Sequence, residues 1–278
     1  MIIRQLQPGD CFAARRLWQT VFCDTDGFAN FYFSHRFTPT LSFGAFEDGE
    51  LVSMSLGRRF QMSNPSFYAV MISGVSTLPK YRHQGLMRET MNRLIDNAKL
   101  RGYDIAVLVP ALPHLYDPFG FAPLTYATEV TETASAIPDG ILLCLGAENL
   151  VPIYQNAEKT HRCMMRRTKE DMELALEEYK RDRGITLITE DRKGYICFLP
   201  EEDGVEITEC LADCSDSYRK LIQAAAFHAA RKSATAVLPQ TCGLPGKEIR
   251  PLHGLALKDN ILLDTLSNDP KCFCIEKY

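Results

Sequence analysis

The apolar positions of this chain follow a strand-like pattern and then a helical one, and the change falls within a few residues. Ser66 to Leu78 (SFYAVMISGVSTL) is dense in Val, Ile, Phe and Tyr, as in a largely buried strand. Pro79 ends it and Lys80 to Gln84 are polar. From Gly85 the apolar residues Leu86, Met87, Met91, Leu94, Ile95 and Ala98 recur at helical spacing. A strand, a tight loop and a helix start are therefore expected here.

The flanking pattern extends this unit in both directions. Ile2 to Leu6 reads as a strand. Pro8 and Asp10 open a helix lined by Phe12, Leu17, Trp18, Val21 and Phe22, and a second, aromatic helix carries Phe28, Phe31, Tyr32 and His35. LSFGAFE and LVSMSLGRRFQM flank Asp48-Gly49, the strongest hairpin signal in the chain. Tyr103 to Val109 reads as a buried strand parallel to Ser66 to Leu78, because a helical crossover joins them.

Past Ala136 to Gly140 the texture changes. The stretch Leu150 to Gly184 holds a long polar helix. Short strands follow between Thr186 and Ile207, broken at Asp191 to Gly194 and at Pro200 to Gly204, and then come a helix over Asp216 to Lys232 and a strand over Ala234 to Pro239. This order loosely echoes the first half. It lacks the Arg-x-x-Gly loop, since CLADCSDSYRKLI holds no glycine.

The chemistry concentrates at the strand–loop–helix junction. A helix N-terminus presents unpaired N–H groups and about half a positive charge, so a loop over it can hold a diphosphate. Arg82 adds a cation, and Gly85 lets the backbone approach closely. Val75-Ser-Thr-Leu-Pro-x-Tyr-Arg-x-x-Gly-Leu-Met resembles the acetyl-CoA motif of the GNAT N-acetyltransferase superfamily, Arg/Gln-x-x-Gly-x-Gly/Ala, with Met87 where that form has a small residue. The Leu-Met ending is similar to the enhanced-intracellular-survival, aminoglycoside-modifying branch. Tyr116-x-x-x-Gly120-Phe121 resembles the short helix and bulge after that family's fifth strand.

The resemblance is specific over about residues 1–130 and topological beyond. It implies an α/β (α+β) fold of tandem GNAT units, each a mixed, mostly antiparallel twisted sheet flanked by helices. Residues 1–135 would form the catalytic, acetyl-CoA-binding domain and 136–278 a degenerate second one, with no sterol-carrier domain. It also implies roles. Val75 and Thr77 would offer N–H groups to the oxyanion, and Ser76 and Thr77 would meet the pantetheine amides. Arg82, His83, Gln84, Gly85, Leu86 and Met87 would hold the pyrophosphate. Tyr116 would protonate the leaving thiolate, a fitting task for a phenol of pKa about 10. Tyr278 is a candidate because the terminal carboxylate reaches the active site as a base in longer relatives. The central strand holds no Glu or His, so the base stays open among His35, Asp24, Asp26, His114 and a water relay.

Composition narrows the alternatives. With 278 residues, 46% hydrophobic, the chain has material for two cores. Its net charge of −4 argues against coating nucleic acid or anionic membrane. The acidic Asp24–Asp26 loop mildly favours a cationic amine as acceptor, whether small molecule or peptide. No leader and no membrane-length apolar run stand out, so a bacterial cytoplasmic protein is expected, with a homo-oligomer left open. The ten scattered cysteines, Cys210-x3-Cys214 and Cys272-x-Cys274 included, read as reduced, small buried residues, with no structural metal. Two rival readings remain: a silent acyl-CoA-binding regulatory module, invited by Met87, and an aminoacyltransferase built from paired GNAT-like domains. The latter calls for a basic groove that the sequence does not display.

Overall fold

The computed structural model describes residues 1–274, which form fourteen strands and seven α-helices. The first half contains β1 (Ile2–Gln5), α1 (Cys11–Phe22), α2 (Asp26–His35), β2 (Phe43–Glu47), β3 (Glu50–Met62), β4 (Phe67–Thr77), α3 (Leu86–Leu100), β5 (Ile105–Leu108) and β6 (Ala122–Pro123). Then follow β7 (Ala127–Thr133), β8 (Ile141–Leu143), α4 (Val151–Thr160), α5 (Lys169–Arg181), β9 (Ile185–Thr189), β10 (Gly194–Pro200) and β11 (Val205–Ala212). The chain continues through α6 (Ser215–His228), β12 (Ser233–Pro239), β13 (Lys247–Ile249), β14 (His253–Ala256) and α7 (Ile261–Ser267).

Helical spacing is converted directly into burial. On α3, Leu86, Met91, Leu94, Ile95 and Ala98 are buried, and the last four pack with Val70 and Ile72 of β4 and Ala106 and Leu108 of β5. Each large side chain so covered contributes about 1.5–3 kcal/mol. On the other face of the sheet, α1 and α2 place Trp18, Tyr32 and Phe33 against Met54 and Leu56 of β3. Thr25 starts α2 by accepting the Phe28 N–H at 3.1 Å.

The long polar helix expected within 150–184 is instead two helices. Between α4 and α5 the backbone finds partners outside any helix, because the Ser63 N–H bonds Met164 O (2.7 Å) and the Arg166 N–H bonds Gln61 O (2.8 Å). Thr168 then caps α5 reciprocally with Asp171.

The sheets have a shared order with one exchange. The first sheet runs β1-β2-β3-β4-β5-β14-β6, with β4 and β5 parallel. The second half forms β11-β10-β9-β8 and β12-β7-β13, and β12 lies alongside β11. Each half thus has four antiparallel strands, a helical crossover, and then a strand pair with a third strand inserted between its members. The inserted strand is the reciprocal one: β14, late in the chain, separates β5 from β6, and β7, early in the chain, separates β12 from β13.

The exchange makes the first sheet depend on the far end of the chain. A chain ending at Arg250 would leave β5 and β6 without the strand between them, and β7 is engaged elsewhere. Trp18, the sole tryptophan, lies in the first half and reports on it. In urea, its fluorescence transition should move to markedly lower denaturant in the truncated chain, with apolar-dye binding before unfolding. An unchanged midpoint would show that β14 is dispensable.

Candidate active site

β4 and β5 begin as neighbours and then part. Their parallel pairing covers Ala69, Val70 and Met71 and goes no further. On the other edge of β4, Leu56 of β3 faces Ser73 and Met54 faces Ser76, so Ser55 stands opposite both Gly74 and Val75. This is a β-bulge, which bends its strand. Gly74 adopts φ +56°, and a Cβ there would lie 2.5 Å from Cζ3 of Trp18. Only glycine fits, both for its backbone angle and for the ring above it.

The bulge has neighbours that hold it in place. Trp18 Nε1 donates to Asp24 (2.6 Å), the Trp18 ring stacks at 4.7 Å on Tyr32, and the Tyr32 hydroxyl meets Ser73 Oγ at 2.7 Å. Beyond the bulge, the Leu78 N–H bonds Val52 O of β3 at 2.9 Å. Antiparallel alternation then points the Ser76 N–H toward β3 too, and turns those of Val75 and Thr77 toward the side that β5 has left. The Thr77 hydroxyl is already shared with Ser53 at 2.8 Å, whereas the buried Ser76 hydroxyl has no partner.

The loop expected between β4 and α3 is present and exposed. His83 (φ +62°) and Gly85 (φ +79°) turn it, and Gly85 precedes α3 without any side-chain cap. The first helical bond runs from the Glu89 N–H to Gly85 O (3.1 Å), so the N–H groups of Leu86, Met87 and Arg88 lack helical acceptors. Arg82 lies along this end of the strand and donates Nε to Thr77 O at 3.3 Å. Nothing lies within 4 Å of a Cβ built on Gly85. The Met87 side chain is partly buried and packs against the apolar cluster that holds Leu108 and Phe121.

Tyr116 lies between two short 3-10 turns, Pro113–Leu115 and Asp117–Phe119, with its ring edge-on to Phe121 at 6.2 Å. Its hydroxyl makes no hydrogen bond among the described residues. Burial raises its pKa above the ordinary phenol value, so the proton that a phenol already keeps at neutral pH is held more firmly. His114, next to it in sequence, is exposed. Val75, Met87 and Tyr116, from three separate segments, therefore each pack against the same apolar cluster. Tyr278 lies outside the described residues.

Behind β3, on the sheet face opposite α3, a cavity of about 850 Å³ separates the two halves. Its walls are α2, β3, residues 165–167, α5 and the facing ends of β10 and β11. Asp24 and His35 line it, whereas Asp26 is outside the lining and bonds Gln19. Seven arginines and six carboxylates share the lining. The acidic acceptor wall expected from the Asp24–Asp26 loop is therefore mixed in charge, because α5 and residues 166–167 bring cations that no local motif announced. Sequence reasoning also missed Gly74 and Trp18; the signal was a glycine in the middle of a strand-like run.

Among the described residues, no His, Cys, Asp and Glu side chains gather in threes to hold a metal. Nor is any helix there long and apolar enough to cross a membrane.

Residues 2–124 match the family model described as the acetyltransferase (GNAT) domain. No curated protein matches the chain. Among solved structures, a conserved protein of unknown function from Enterococcus faecalis V583 is 15% identical, with a TM-score of 0.70 over 92% of this chain and 72% of that one. A GCN5-related N-acetyltransferase from Kribbella flavida is 14% identical, with a TM-score of 0.67 over 92% and 70% of the two chains. Eis1 from Mycobacterium abscessus is 17% identical, with a TM-score of 0.61 over 97% and 69%. At these identities the likeness is one of fold. The family match is confined to residues 2–124 and places a GNAT acetyltransferase domain in the first half of the chain.

Gly74 and Gly85, both in the left-handed region, should respond differently to alanine in the absence of ligand. Gly85→Ala meets open space and adds only backbone strain of about 1–2 kcal/mol. Gly74→Ala adds the collision with Trp18 and should cost about 2–4 kcal/mol. Urea unfolding of the two variants checks the order, and equal losses would contradict the steric account of the bulge.

Proposed function

We propose that the protein transfers the acetyl group of acetyl-CoA to a primary amine by direct attack in a ternary complex. The observation that carries this reading is the opening between β4 and β5. On its α3 side lie the Arg82–Gly85 loop and the uncapped helix start, and on the opposite face of the sheet lies the large cavity between the halves. A thioester threaded through the opening would present its carbonyl to an amine arriving from the cavity.

The division of labour follows from the chemistry. The N–H groups of Leu86, Met87 and Arg88, with Arg82 beside them, suit a pyrophosphate, and Gly85 and His83 give the loop its turns. The N–H groups of Val75 and Thr77 suit a developing oxyanion, because a preorganised donor in a water-poor site needs no reorientation as charge forms. Ser76 has a free hydroxyl for the pantetheine arm. Tyr116, protonated at neutral pH as a phenol is, donates to the departing sulfur. The amine must arrive neutral, and His35 and Asp24 are the groups in the cavity wall nearest to that task in chemistry. The mixed charge of the lining gives no preference for a cationic acceptor.

Turnover of acetyl-CoA, read as free thiol against a panel of polyamines, aminoglycosides and peptides, tests the reading; no thiol release with any amine would leave a CoA-binding module. Tyr116→Phe should lower kcat by about 10²-fold or more with CoA affinity nearly unchanged. Equal turnover in the variant would remove Tyr116 from the mechanism.

Binding measurements separate the phosphate ligands. Arg82→Ala should weaken CoA binding by about 1.5–3 kcal/mol, the range for a hydrogen bond to a charged group. Gly85→Val should weaken it more, since the side chain would occupy space the diphosphate needs. A pantetheine thioester without phosphates should be nearly indifferent to Arg82→Ala; an equal loss would mean that Arg82 is not a phosphate ligand. Calorimetry should find one CoA per chain.

A further inference from the structure

Cys163 meets Cys272 and Cys274, more than a hundred positions later in the chain, on the face of the first sheet opposite α3. Cys163, Cys272 and Cys274 are buried in one apolar cluster with Met62, Met71 and Val107. The sulfurs of Cys163 and Cys272 lie 2.7 Å apart. The backbone on both sides is fixed. The Arg162 N–H bonds Lys271 O at 2.8 Å, the Phe273 N–H bonds Arg162 O at 2.9 Å, and the Arg162 guanidinium pairs with Asp269 at 2.6 Å. Cys163 itself has φ +62°, a conformation that costs a side-chain-bearing residue free energy and persists only where its surroundings impose it.

The segment that carries Cys163 is also a wall of the cavity. Met165, Arg166 and Arg167 line it, and the same stretch is hydrogen-bonded to the end of β3. A covalent link from Cys163 to Cys272 would tie this wall to residues 269–274, which follow α7. The two sulfurs are 109 positions apart in the chain. A bridge over so long a loop restricts the unfolded chain strongly.

We infer that Cys163 and Cys272 are a redox-modifiable pair, which hydrogen peroxide or a low-molecular-weight disulfide converts to a disulfide clamping residues 269–274 to the cavity wall. Two S–H bonds break and one S–S bond forms. Two protons and two electrons pass to the oxidant, giving two waters from peroxide or two thiols from the small disulfide. Burial, the first cause, and the neighbouring Cys272 hold the Cys163 thiol well above its ordinary pKa. Since the thiolate is the reacting species, oxidation is slow at neutral pH and quickens as pH rises.

The full-length protein is treated with oxidised glutathione at neutral and at alkaline pH. Remaining thiols are then blocked with N-ethylmaleimide in denaturant, and peptides are mapped by mass spectrometry without reduction. The expected product joins the Cys163 and Cys272 peptides, forms faster at alkaline pH, and raises Tm by about 5–10 °C in a manner reversed by dithiothreitol. Cys272→Ser should abolish both the linked peptide and the rise, and Cys274→Ser should retain both. Blocked Cys163 and Cys272 in wild type, after the exposed Cys23 and Cys214 have taken glutathione, would overturn the inference. So would a rise in Tm that survives Cys272→Ser. Mapping on the wild-type chain keeps the result independent of whether a variant folds.

Discussion

The structure turns on the contact between Gly74 and Trp18. A ring seated where a Cβ would otherwise be leaves glycine as the one residue that fits, and glycine alone takes the φ of +56° without strain. That conformation places two residues of β4 opposite one of β3, and the strand bends. Its parallel pairing with β5 has already ended at Met71. Divergence leaves the N–H groups of Val75 and Thr77 facing a gap rather than a neighbouring strand. In an ordinary sheet such groups would be a liability. Here they face the place where a thioester carbonyl is proposed to sit. Asp24, holding Trp18 through its indole N–H, links the same constraint to the rim of the cavity.

The second half contributes to this site in two ways. Through β14 it completes the sheet beside β5, so the strand that forms one side of the opening is buttressed by residues nearly 150 positions later. Through α5 it closes the cavity, where Arg36, just past the end of α2, and Glu178 of α5 form a nearly buried ion pair between the halves, with side chains 9% and 10% exposed. Removing one partner of such a pair costs about 3–5 kcal/mol, because the other is left charged in a poorly solvated place. Deeper in the second half, Glu209 accepts from both Arg167 and the Tyr195 hydroxyl, and the Arg167 guanidinium lies 4.7 Å from the Tyr154 ring centroid. A cation of the cavity wall is thus oriented by a buried carboxylate that never reaches the cavity.

Local features of the fold were legible and nonlocal ones were not. The strand, loop and helix around Gly85 could be read because burial on α3 follows a 3.6-residue period and Pro79 interrupts the strand. The hairpin at Asp48-Gly49 was legible for a similar reason. The break between α4 and α5 was less so, although Thr168 and Asp171 carry a capping pattern, because the residues before it are helix-compatible and leave the helix only to pair with β3. The strand exchange had no local trace at all, because the partners of β7 and β14 depend on which edges the rest of the chain exposes. The cavity's arginines and the cysteine cluster are nonlocal in the same sense. Arg58, Arg167 and Arg183, like Cys163 and Cys272, are unremarkable until folding brings their segments together.

The two halves share a strand order, yet the connection that matters differs between them. From the end of β4 to the start of α3 the chain spends eight residues, 78–85, on a loop with two left-handed turns and a cation at its base. From the end of β11 to the start of α6 it spends two, Asp213 and Cys214. Two residues can reverse the chain, but they leave no backbone to arch over a diphosphate. They also place Asp213 and Asp216 at the helix start, where a carboxylate satisfies the helix dipole that an anionic ligand would otherwise satisfy. In the first half the acidic residue of that turn is Glu89, a full turn in, and the entry is left to glycine. One scaffold thus yields a proposed ligand-holding end and a closed end, and the length of a single connection separates them.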